Sequence, residues 1–235
     1  MCTVSFVASN GKIIITSNRD EQVIRPAIAP QKYTINNKTL LFPKDPKAGG
    51  TWYVVDENAN VLVLLNGAAE KHVMNPPYRR SRGLIVLDLM STESPVHSWT
   101  EIDLEHVEPF TIVLFENQKL YQLRWNGTEK ETVSLDTSEA HIWSSSTLYP
   151  ADVREKRTEW FATYLKSNNT VTEKDMLHFH QYTESGNCEN GLVINRNDIL
   201  KTLSITQTVI ENDKLVLYYS DLINKDETAN SFIIS

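Results

Sequence analysis

The chain has 235 residues, of which 40% are hydrophobic and 23% are charged, a composition typical of a globular protein with material for one sizeable core. We expect one domain over residues 1–235. The formal net charge of −7 argues against a general binder of nucleic acid or of anionic membranes.

The first half of the chain contains three predicted hairpins: residues 2–8 with 12–18, residues 51–56 with 60–66, and residues 110–116 with 119–125. The first is the most strongly marked, because its two strands flank Asn10-Gly11, a dipeptide that favours a two-residue hairpin turn. Helices are predicted between the hairpins. The apolar run at residues 82–92 indicates a helix that continues or restarts after Pro95.

The second half begins with two predicted helices. Pro150 indicates the start of one, since proline suits the first helical turn, and Thr172 with Asp175 has the spacing of a capping box that opens another. The first of these helices has an inner stripe at helical spacing, made of Val153, Arg157, Trp160, Phe161, Tyr164 and Leu165. Strands return at residues 191–195, 203–210 and 214–220.

The strands themselves indicate how the elements are layered. Runs such as IIIT and VLVLL are apolar on both faces, so helices or a second sheet must cover them. The order of the elements therefore predicts an α+β layered sandwich. No apolar run is long enough to span a membrane and no secretory signal is evident, so we expect a cytoplasmic protein with two reduced cysteines.

The first hairpin places specific side chains together. If Asn10 and Gly11 are the two turn residues, cross-strand partners have numbers that add up to 21, and Cys2 faces Arg19. Asp20 follows at the end of the strand. The opening stretch thus predicts a thiol, a guanidinium and a carboxylate at one place, provided that the register does not slip.

This grouping suits nucleophilic catalysis by an N-terminal cysteine. Removal of Met1 would leave Cys2 with a free α-amine, which can act as the general base for its own thiol. Arg19 would favour the thiolate, and Asp20 would hold the amine and Arg19 by charge-assisted hydrogen bonds. The alternative is structural, a buried cysteine in an N-terminal strand followed by an ordinary turn.

Several segments resemble one known family. They are MCTVSFV, SNRDE at residues 17–21, Arg25-Pro26, LLFPKDPKAGGTWYVV at 40–55 and SRGLIVLDL at 81–89. In this order they resemble the NRDE family, which includes the transport and Golgi organization 2 (TANGO2) proteins. That family is placed with the N-terminal-nucleophile hydrolases and is similar to the choloylglycine hydrolase and penicillin V acylase group.

The resemblance implies a four-layer αββα sandwich and a cysteine amidase that needs no cofactor and acts on a small-molecule amide or related acyl bond. Cys2 would be the nucleophile, Arg19 and Asp20 would orient it, and Asn66 would donate to an oxyanion. The alternative for Asn66 is a plain Asn-Gly turn. A second function left open is a non-catalytic carrier of heme or an acyl lipid on the same fold.

The chain also departs from its relatives. Ser145, in the segment IWSSSTLYP, stands where relatives usually have a second asparagine, and Lys201 stands near the place of a late arginine. A serine hydroxyl can donate one hydrogen bond, but with a shorter reach than an amide. We assign Ser145 to substrate binding, together with Asn18 of the SNRDE segment.

Aromatic and basic residues complete the predicted site. Trp52 would line an acyl pocket together with Tyr78, Trp143 and Tyr149, although a core position explains Trp52 equally well. Arg82, with Arg79 and Arg80, precedes the apolar helix and would bind a carboxylate or phosphate, unless the cluster is only a solvated patch. His178, His180 and Cys188 lack the spacing of a zinc site.

Overall fold

A computed structural model describes residues 3–168 and 170–234 of the protein. The strands in this part of the chain are β1 (Thr3–Ser9), β2 (Lys12–Gln22), β3 (Ile28–Ile35), β4 (Lys38–Lys44), β5 (Tyr53–Asp56), β6 (Val61–Asn66), β7 (Phe110–Glu116), β8 (Lys119–Trp125), β9 (Lys130–Leu135), β10 (His141–Ser144), β11 (Asn195–Arg196), β12 (Leu200–Glu211), β13 (Lys214–Asp221) and β14 (Asp226–Ile233). The helices are α1 (Arg82–Met90), α2 (Pro95–Glu101), α3 (Ala151–Ser167) and α4 (Glu173–Tyr182).

The strands form two antiparallel sheets of seven strands each. The first sheet has the order β10-β1-β2-β12-β13-β14, with β11 paired to β12, and the second runs from β3 to β9 in chain order. The long central strands β2 and β12 pair along nearly their whole length, with a register shift between Thr202 and Ser204. This irregularity lies at the same end of the sheet as Arg19 and Asp20.

The two sheets pack face to face, and each carries helices on its outer side. The rings of Phe6 in β1 and Phe115 in β7 lie 5.9 Å apart, and the Tyr53 hydroxyl reaches across to donate to the Ile15 carbonyl at 2.9 Å. Helices α3 and α4 contact the first sheet, while α1 and α2 contact the second. The predicted α+β sandwich with αββα layers is therefore confirmed.

The first hairpin has the predicted register. Its pairs run from Ser9 with Lys12 to Thr3 with Asn18, and every pair adds up to 21. Asn10 and Gly11 both adopt positive φ angles, 53° and 72°, as a two-residue turn between twisted strands requires. The predicted pair of Cys2 with Arg19 lies outside the described residues and stays a prediction.

Other local predictions are confirmed as well. The second and third hairpins form β5–β6 and β7–β8, a helix restarts at Pro95, and Pro150 is the N-cap of α3. The Thr172 side chain accepts from the Asp175 backbone N–H, and the Asp175 carboxylate accepts from the Thr172 N–H, so the capping box is present. No helix in the described part of the chain is long and apolar enough to cross a membrane.

The strand predicted at residues 191–195 is wrong for most of its length. The structure has only the short β11 there, and the apolar residues of the segment, Leu192 and Ile194, are buried in irregular backbone. The Gly191 carbonyl accepts from the Arg157 side chain at 2.5 Å, and the Leu192 N–H donates to the Thr183 carbonyl at 3.3 Å. Side-chain and loop partners thus take the hydrogen bonds that a neighbouring strand would supply.

Candidate functional site

A pocket lies where the ends of β2 and β6 meet the N-terminus of α1. Its cavity has a volume of about 90 Å³ and opens to solvent. Its lining residues come from four separated stretches of sequence: Arg19, Glu21, Arg25, Asp45, Ala48, Gly50, Thr51, Trp52, Leu64, Asn66, Ser81, Arg82 and Gly83. The predicted site residues Arg19, Trp52, Asn66 and Arg82 are therefore brought together here.

Arg19 is the most buried charged residue that lines the pocket. Its side chain is only 3% exposed, and its guanidinium lies 4.3 Å from the ring centroid of Trp52. One Nη donates to the Arg25 carbonyl at 2.9 Å, while the Asp45 carboxylate lies 4.0 Å from the other. Burial lowers the pKa of Arg19 from its ordinary value, although an arginine stays charged. Arg19 is thus a buried cation with a distant counter-charge.

Asp45 organises the loop between β4 and β5. Its Oδ1 accepts from the backbone N–H groups of Lys47 at 2.9 Å and Ala48 at 3.2 Å, and its Oδ2 pairs with Arg25. Arg25 also pairs with Glu21 at 3.2 Å. The two carboxylates that line the pocket therefore have Arg25 as their close partner.

The glycines of the AGGTW segment allow α1 to approach this loop. A Cβ atom added at Gly50 would lie 2.3 Å from the carbonyl carbon of Gly83, and one added at Gly83 would lie 2.9 Å from the Thr51 oxygen. The Thr51 N–H donates to the Gly83 carbonyl at 3.2 Å. The two glycines therefore let the β4–β5 loop pack directly against the first turn of α1. This contact brings Ser81 and Arg82 to the pocket.

Asn66 and Ser145 meet at the end of β6. The Asn66 side chain lines the pocket and has no hydrogen bond to any described residue, whereas its backbone oxygen accepts from the Ser145 hydroxyl at 2.7 Å. Ser145 is 1% exposed. Since its proton is engaged by this carbonyl, Ser145 holds the position of Asn66 in the observed state.

Asp20 belongs to the opposite face of β2, towards the helices. Its carboxylate accepts from the Tyr149 hydroxyl at 2.7 Å and from the Thr202 hydroxyl at 2.5 Å. Tyr149 is fully buried, and the guanidinium of Arg157 lies 3.6 Å from its ring centroid. Tyr149 was predicted to line an acyl pocket. Its hydroxyl instead donates a hydrogen bond to the carboxylate of Asp20.

Arg157 is a central part of this network that sequence reasoning assigned only to a helix stripe. It is fully buried on α3 and donates to the hydroxyl of Thr3 at 2.5 Å and to the carbonyls of Asn190 at 3.2 Å and Gly191 at 2.5 Å. The signal for its role was an arginine at a buried position of an apolar helix face, where a charge is rare unless it is hydrogen-bonded.

Asn18 also lies on the helix face and does not line the pocket. Its Nδ2 donates to the carbonyls of His180 at 3.1 Å and Leu192 at 2.7 Å, so its Oδ1 accepts from His180 Nδ1 at 2.5 Å. His180 Nε2 is then the acceptor for the Ser5 hydroxyl at 2.7 Å. Burial lowers the pKa of His180 to about 3, so the ring is neutral.

The remaining predicted substrate contacts lie elsewhere. Trp143 donates from Nε1 to the Gln122 side chain at 2.9 Å and lines a second pocket near α3. The Tyr78 hydroxyl accepts from the Asn75 N–H at 2.9 Å in the loop after β6. Of the three neighbouring arginines only Arg82 reaches the main pocket, where it pairs with Glu108 at 2.9 Å.

Metal ligands are not gathered in the part of the chain that the structure describes. Among residues 3–168 and 170–234 no three His, Cys, Asp or Glu side chains form a group that could hold an ion. Cys188 is exposed and His180 is committed to Asn18 and Ser5. Lys201 pairs with Asp198 at 2.6 Å and does not line the pocket.

The same fold occurs in solved amidase structures. A Caenorhabditis elegans ortholog of N-acylethanolamine-hydrolyzing acid amidase aligns with a TM-score of 0.62 and 12% identity, over 88% of this chain and 92% of that one. An arginine-to-leucine variant of the conjugated bile acid hydrolase of Clostridium perfringens gives 0.64 and 10%, over 97% and 92%. A cysteine-to-alanine mutant of that hydrolase gives 0.63 and 10%, over 98% and 92%. At such identities the likeness shows the fold, that of the N-terminal-nucleophile hydrolases.

Sequence comparison identifies the family. A search of curated proteins found no match. The family model for transport and Golgi organisation 2, in contrast, matches residues 1–214. This protein therefore belongs to the transport and Golgi organisation 2 family.

Proposed function

We propose that the protein is an N-terminal-nucleophile hydrolase that cleaves an amide or related acyl bond of a small molecule with Cys2. The observation that carries the proposal is the convergence of Arg19, Trp52 and Asn66 on one pocket of this fold. The register of the first hairpin ends at the pair of Thr3 with Asn18, and its continuation by one residue would pair Cys2 with Arg19. A thiol at that position would stand beside a buried guanidinium at the pocket.

The surroundings of Arg19 suit the activation of a thiol. A guanidinium whose closest carboxylate is 4.0 Å away keeps much of its positive potential for a neighbouring group. A thiolate beside such a cation is stabilised, and its pKa falls. Asp20, fixed by Tyr149 and Thr202, would accept a hydrogen bond from the α-amine of Cys2.

Asn66 is the proposed donor to the oxyanion. Its amide has no protein partner among the described residues, and the Ser145 hydroxyl holds its backbone from behind. A donor placed in advance loses little energy when negative charge develops, and one such hydrogen bond contributes about 3 kcal/mol to the transition state.

The reaction then needs no cofactor. The sulfur forms a bond to the acyl carbon, the carbon–nitrogen bond breaks, and the thiol proton passes through the α-amine to the leaving nitrogen. Water attacks the thioester, gives one proton back to the sulfur through the same amine, and releases the acid. Each step conserves atoms and charge.

The first test is the reactivity of the two thiols. The folded protein is treated briefly with a limiting amount of iodoacetamide, and the peptides that contain residue 2 and Cys188 are analysed by mass spectrometry. We expect a chain that begins at Cys2 and a much faster labelling of Cys2 than of the exposed Cys188. Retention of Met1, or a Cys2 that is inert in the folded protein, would overturn the mechanism.

Hydrolysis is tested with matched cysteine variants. Cys2→Ala should abolish the release of amine from N-acyl amides, whereas Cys188→Ser should keep it. Arg19→Met should shift the pH at which Cys2 is labelled upwards by about one unit, the usual effect of losing one nearby opposite charge. Full activity in Cys2→Ala would exclude this nucleophile.

A further inference from the structure

The chain between β10 and α3 forms a buried turn, residues 145–149, that is attached to the end of β6. The Ser145 hydroxyl donates to the Asn66 carbonyl at 2.7 Å. The next hydroxyl, that of Ser146, donates to the Glu70 carbonyl in the loop after β6 at 3.1 Å. Both serines are buried, so these bonds are shielded from water. One end of the 145–149 turn is therefore fixed to the second sheet at Asn66.

Gly67 makes this close contact possible. A Cβ atom at Gly67 would lie 2.3 Å from the Ser146 hydroxyl oxygen and 2.9 Å from a side-chain carbon of Thr147. The φ angle of Gly67 is +84°, a conformation that glycine adopts readily and other residues rarely do. The Asn66-Gly67 step therefore bends the chain and also leaves the space into which the 145–149 turn packs.

The other end of the turn reaches the first sheet through Tyr149. The Tyr149 N–H donates to the Ser145 carbonyl at 3.0 Å, and its hydroxyl donates to the Asp20 carboxylate at 2.7 Å. Its ring is fully buried, with the guanidinium of Arg157 at 3.6 Å and that of Arg196 at 5.3 Å from the ring centroid. Cations over an aromatic face are attracted to it, so these contacts hold the orientation of the ring.

The 145–149 turn thus connects two groups to which the proposed reaction gives separate tasks. Its first residue is bonded to Asn66, the proposed oxyanion donor, and its last residue is bonded to Asp20, the proposed partner of the α-amine. The backbone hydrogen bond between Tyr149 and Ser145 fixes these two ends relative to each other. Because a closely packed interior transmits displacements, a shift at one end is passed to the other.

We propose that the 145–149 turn is a common positioning element that holds Asp20 and Asn66 in register, and that Tyr149 is its positioning residue on the Asp20 side. The inference rests on the proposed function, because it concerns how the groups of that reaction are held. Tyr149 does not line the pocket, so it acts through the Asp20 carboxylate and not on the substrate.

The first experiment compares Tyr149→Phe with the matched control Tyr164→Phe. The Tyr164 hydroxyl donates to the Asp175 carbonyl at 2.8 Å, so the control loses a hydrogen bond of similar length away from Asp20. The readout is the rate at which iodoacetamide labels Cys2 in the folded protein at pH 7. We expect about tenfold slower labelling in Tyr149→Phe, because a misplaced base loses much of its effect. Tyr164→Phe should label at the wild-type rate, even if both variants lose melting temperature equally.

A double variant tests whether Tyr149 acts through Asp20. Groups that act through one another have effects that do not add, whereas independent groups have effects that do. Adding Tyr149→Phe to Asp20→Asn should leave the labelling rate within about twofold of that of Asp20→Asn alone. A further loss of about tenfold in the double variant would overturn the role of Tyr149, because the two side chains would then act separately.

The coupling between the two ends is measured by amide NMR spectroscopy of the full chain. Tyr149→Phe should shift the side-chain amide signal of Asn66 on the second sheet, and Ser145→Ala should shift the backbone amide signal of Asp20 on the first. Tyr164→Phe should shift neither signal. If Tyr149→Phe does not fold, the Asp20 signal in Ser145→Ala decides. Unchanged signals in the folded variants would overturn the common element.

The results separate this inference from the proposed reaction. Rapid labelling of Cys2 that is equally fast in the wild-type protein and in Tyr149→Phe would leave the nucleophile standing and overturn the positioning role. An inert Cys2 in the wild-type protein would overturn the reaction and, with it, the positioning role that rests on it.

Discussion

The two faces of strand β2 differ in how completely their polar groups are paired. Towards the helices, Asn18 uses both ends of its amide, and Asp20 accepts from two hydroxyls. Towards the second sheet, Arg19 has a carboxylate no nearer than 4.0 Å. The hydroxyls of Ser17 and its cross-strand partner Thr206 are buried without a hydrogen-bond partner among the described residues.

The difference assigns a separate task to each face. Buried polar groups that are fully paired give rigidity, whereas unpaired ones raise the free energy of the empty protein. Such a cost is tolerated where a ligand or a reacting group later supplies the missing partner. The helix face therefore fixes the backbone of β2, and the pocket face is the place of the proposed reaction. Variants on the two faces should have different consequences.

The largest effect on stability is expected from Arg157 on the helix face. Arg157→Met leaves the Thr3 hydroxyl and the Asn190 and Gly191 carbonyls without their buried donor. We expect the free energy of unfolding in urea to fall by about 3–5 kcal/mol. Lys156→Met, at an exposed position of the same helix, is the matched control and should leave the midpoint unchanged. A loss of under about 1 kcal/mol for Arg157→Met would show that the network is not the support of β2.

A substitution at Gly50 tests the close approach of the β4–β5 loop to α1 beside the pocket. In Gly50→Ala the new Cβ would lie 2.3 Å from a backbone carbon of Gly83, so α1 must move away from the β4–β5 loop. We expect a loss of about 3 kcal/mol, the upper range for overpacking, because backbone cannot yield as a side chain does. Gly186→Ala, which meets nothing within 4 Å, is the control. Equal stabilities would contradict the tight contact between the loop and the helix.

His180 makes the helix face sensitive to pH. Its pKa is about 3 in the folded protein against 6.5 for the free side chain, so the unfolded state binds the extra proton. The stabilisation is complete above pH 6.5 and is lost as the pH falls towards 3, by about 1.4 kcal/mol per pH unit. Unfolding midpoints between pH 7 and 4.5 should show this slope, and His180→Gln should flatten it.

The exposed His178 on the same helix provides the comparison. His178→Gln, which changes a ring that contacts Tyr182 at the surface, is the matched control variant. Should His180→Gln and the wild-type protein lose stability in parallel as the pH falls, then His180 is not the group that titrates.

Local patterns in the sequence were enough to predict much of the fold. The Asn10-Gly11 turn fixed the register of the first hairpin because a two-residue turn allows only one pairing. The capping box at Thr172 and the restart at Pro95 also depend only on neighbouring residues. Strand β14 escaped prediction because most of its residues are polar and exposed, and β3 because only one of its eight residues is buried, so neither shows a clear apolar alternation.

The site was only partly predictable for a related reason. Arg19, Trp52, Asn66 and Arg82 come from distant segments that meet through the pairing of whole sheets. The family resemblance linked Arg19 with Asn66, whereas Trp52 and Arg82 were assigned from their residue types and local patterns. Asn18 and Trp143 were assigned to substrate binding, but both lie outside the pocket. The direction of a side chain depends on which face of its strand it occupies and on its tertiary partners. Arg157 showed no motif, because its partners are two loop carbonyls and a hydroxyl.

The smallest effect on stability is expected from Ser145. It is also the most sensitive test of the division between the supporting face and the pocket face. Its hydroxyl donates to the Asn66 backbone oxygen at 2.7 Å, so Ser145→Ala should cost about 1 kcal/mol of stability and slow the hydrolysis of an N-acyl amide only a few-fold. Ser144→Ala, next to it, is the control, because the Ser144 hydroxyl has no hydrogen bond among the described residues. If Ser145→Ala instead reduced kcat a hundredfold with unchanged stability, an effect of about 3 kcal/mol, the hydroxyl would turn to the oxyanion during the reaction. Ser145 would then belong to the chemistry of the pocket, as the family resemblance implies, rather than to the support of Asn66.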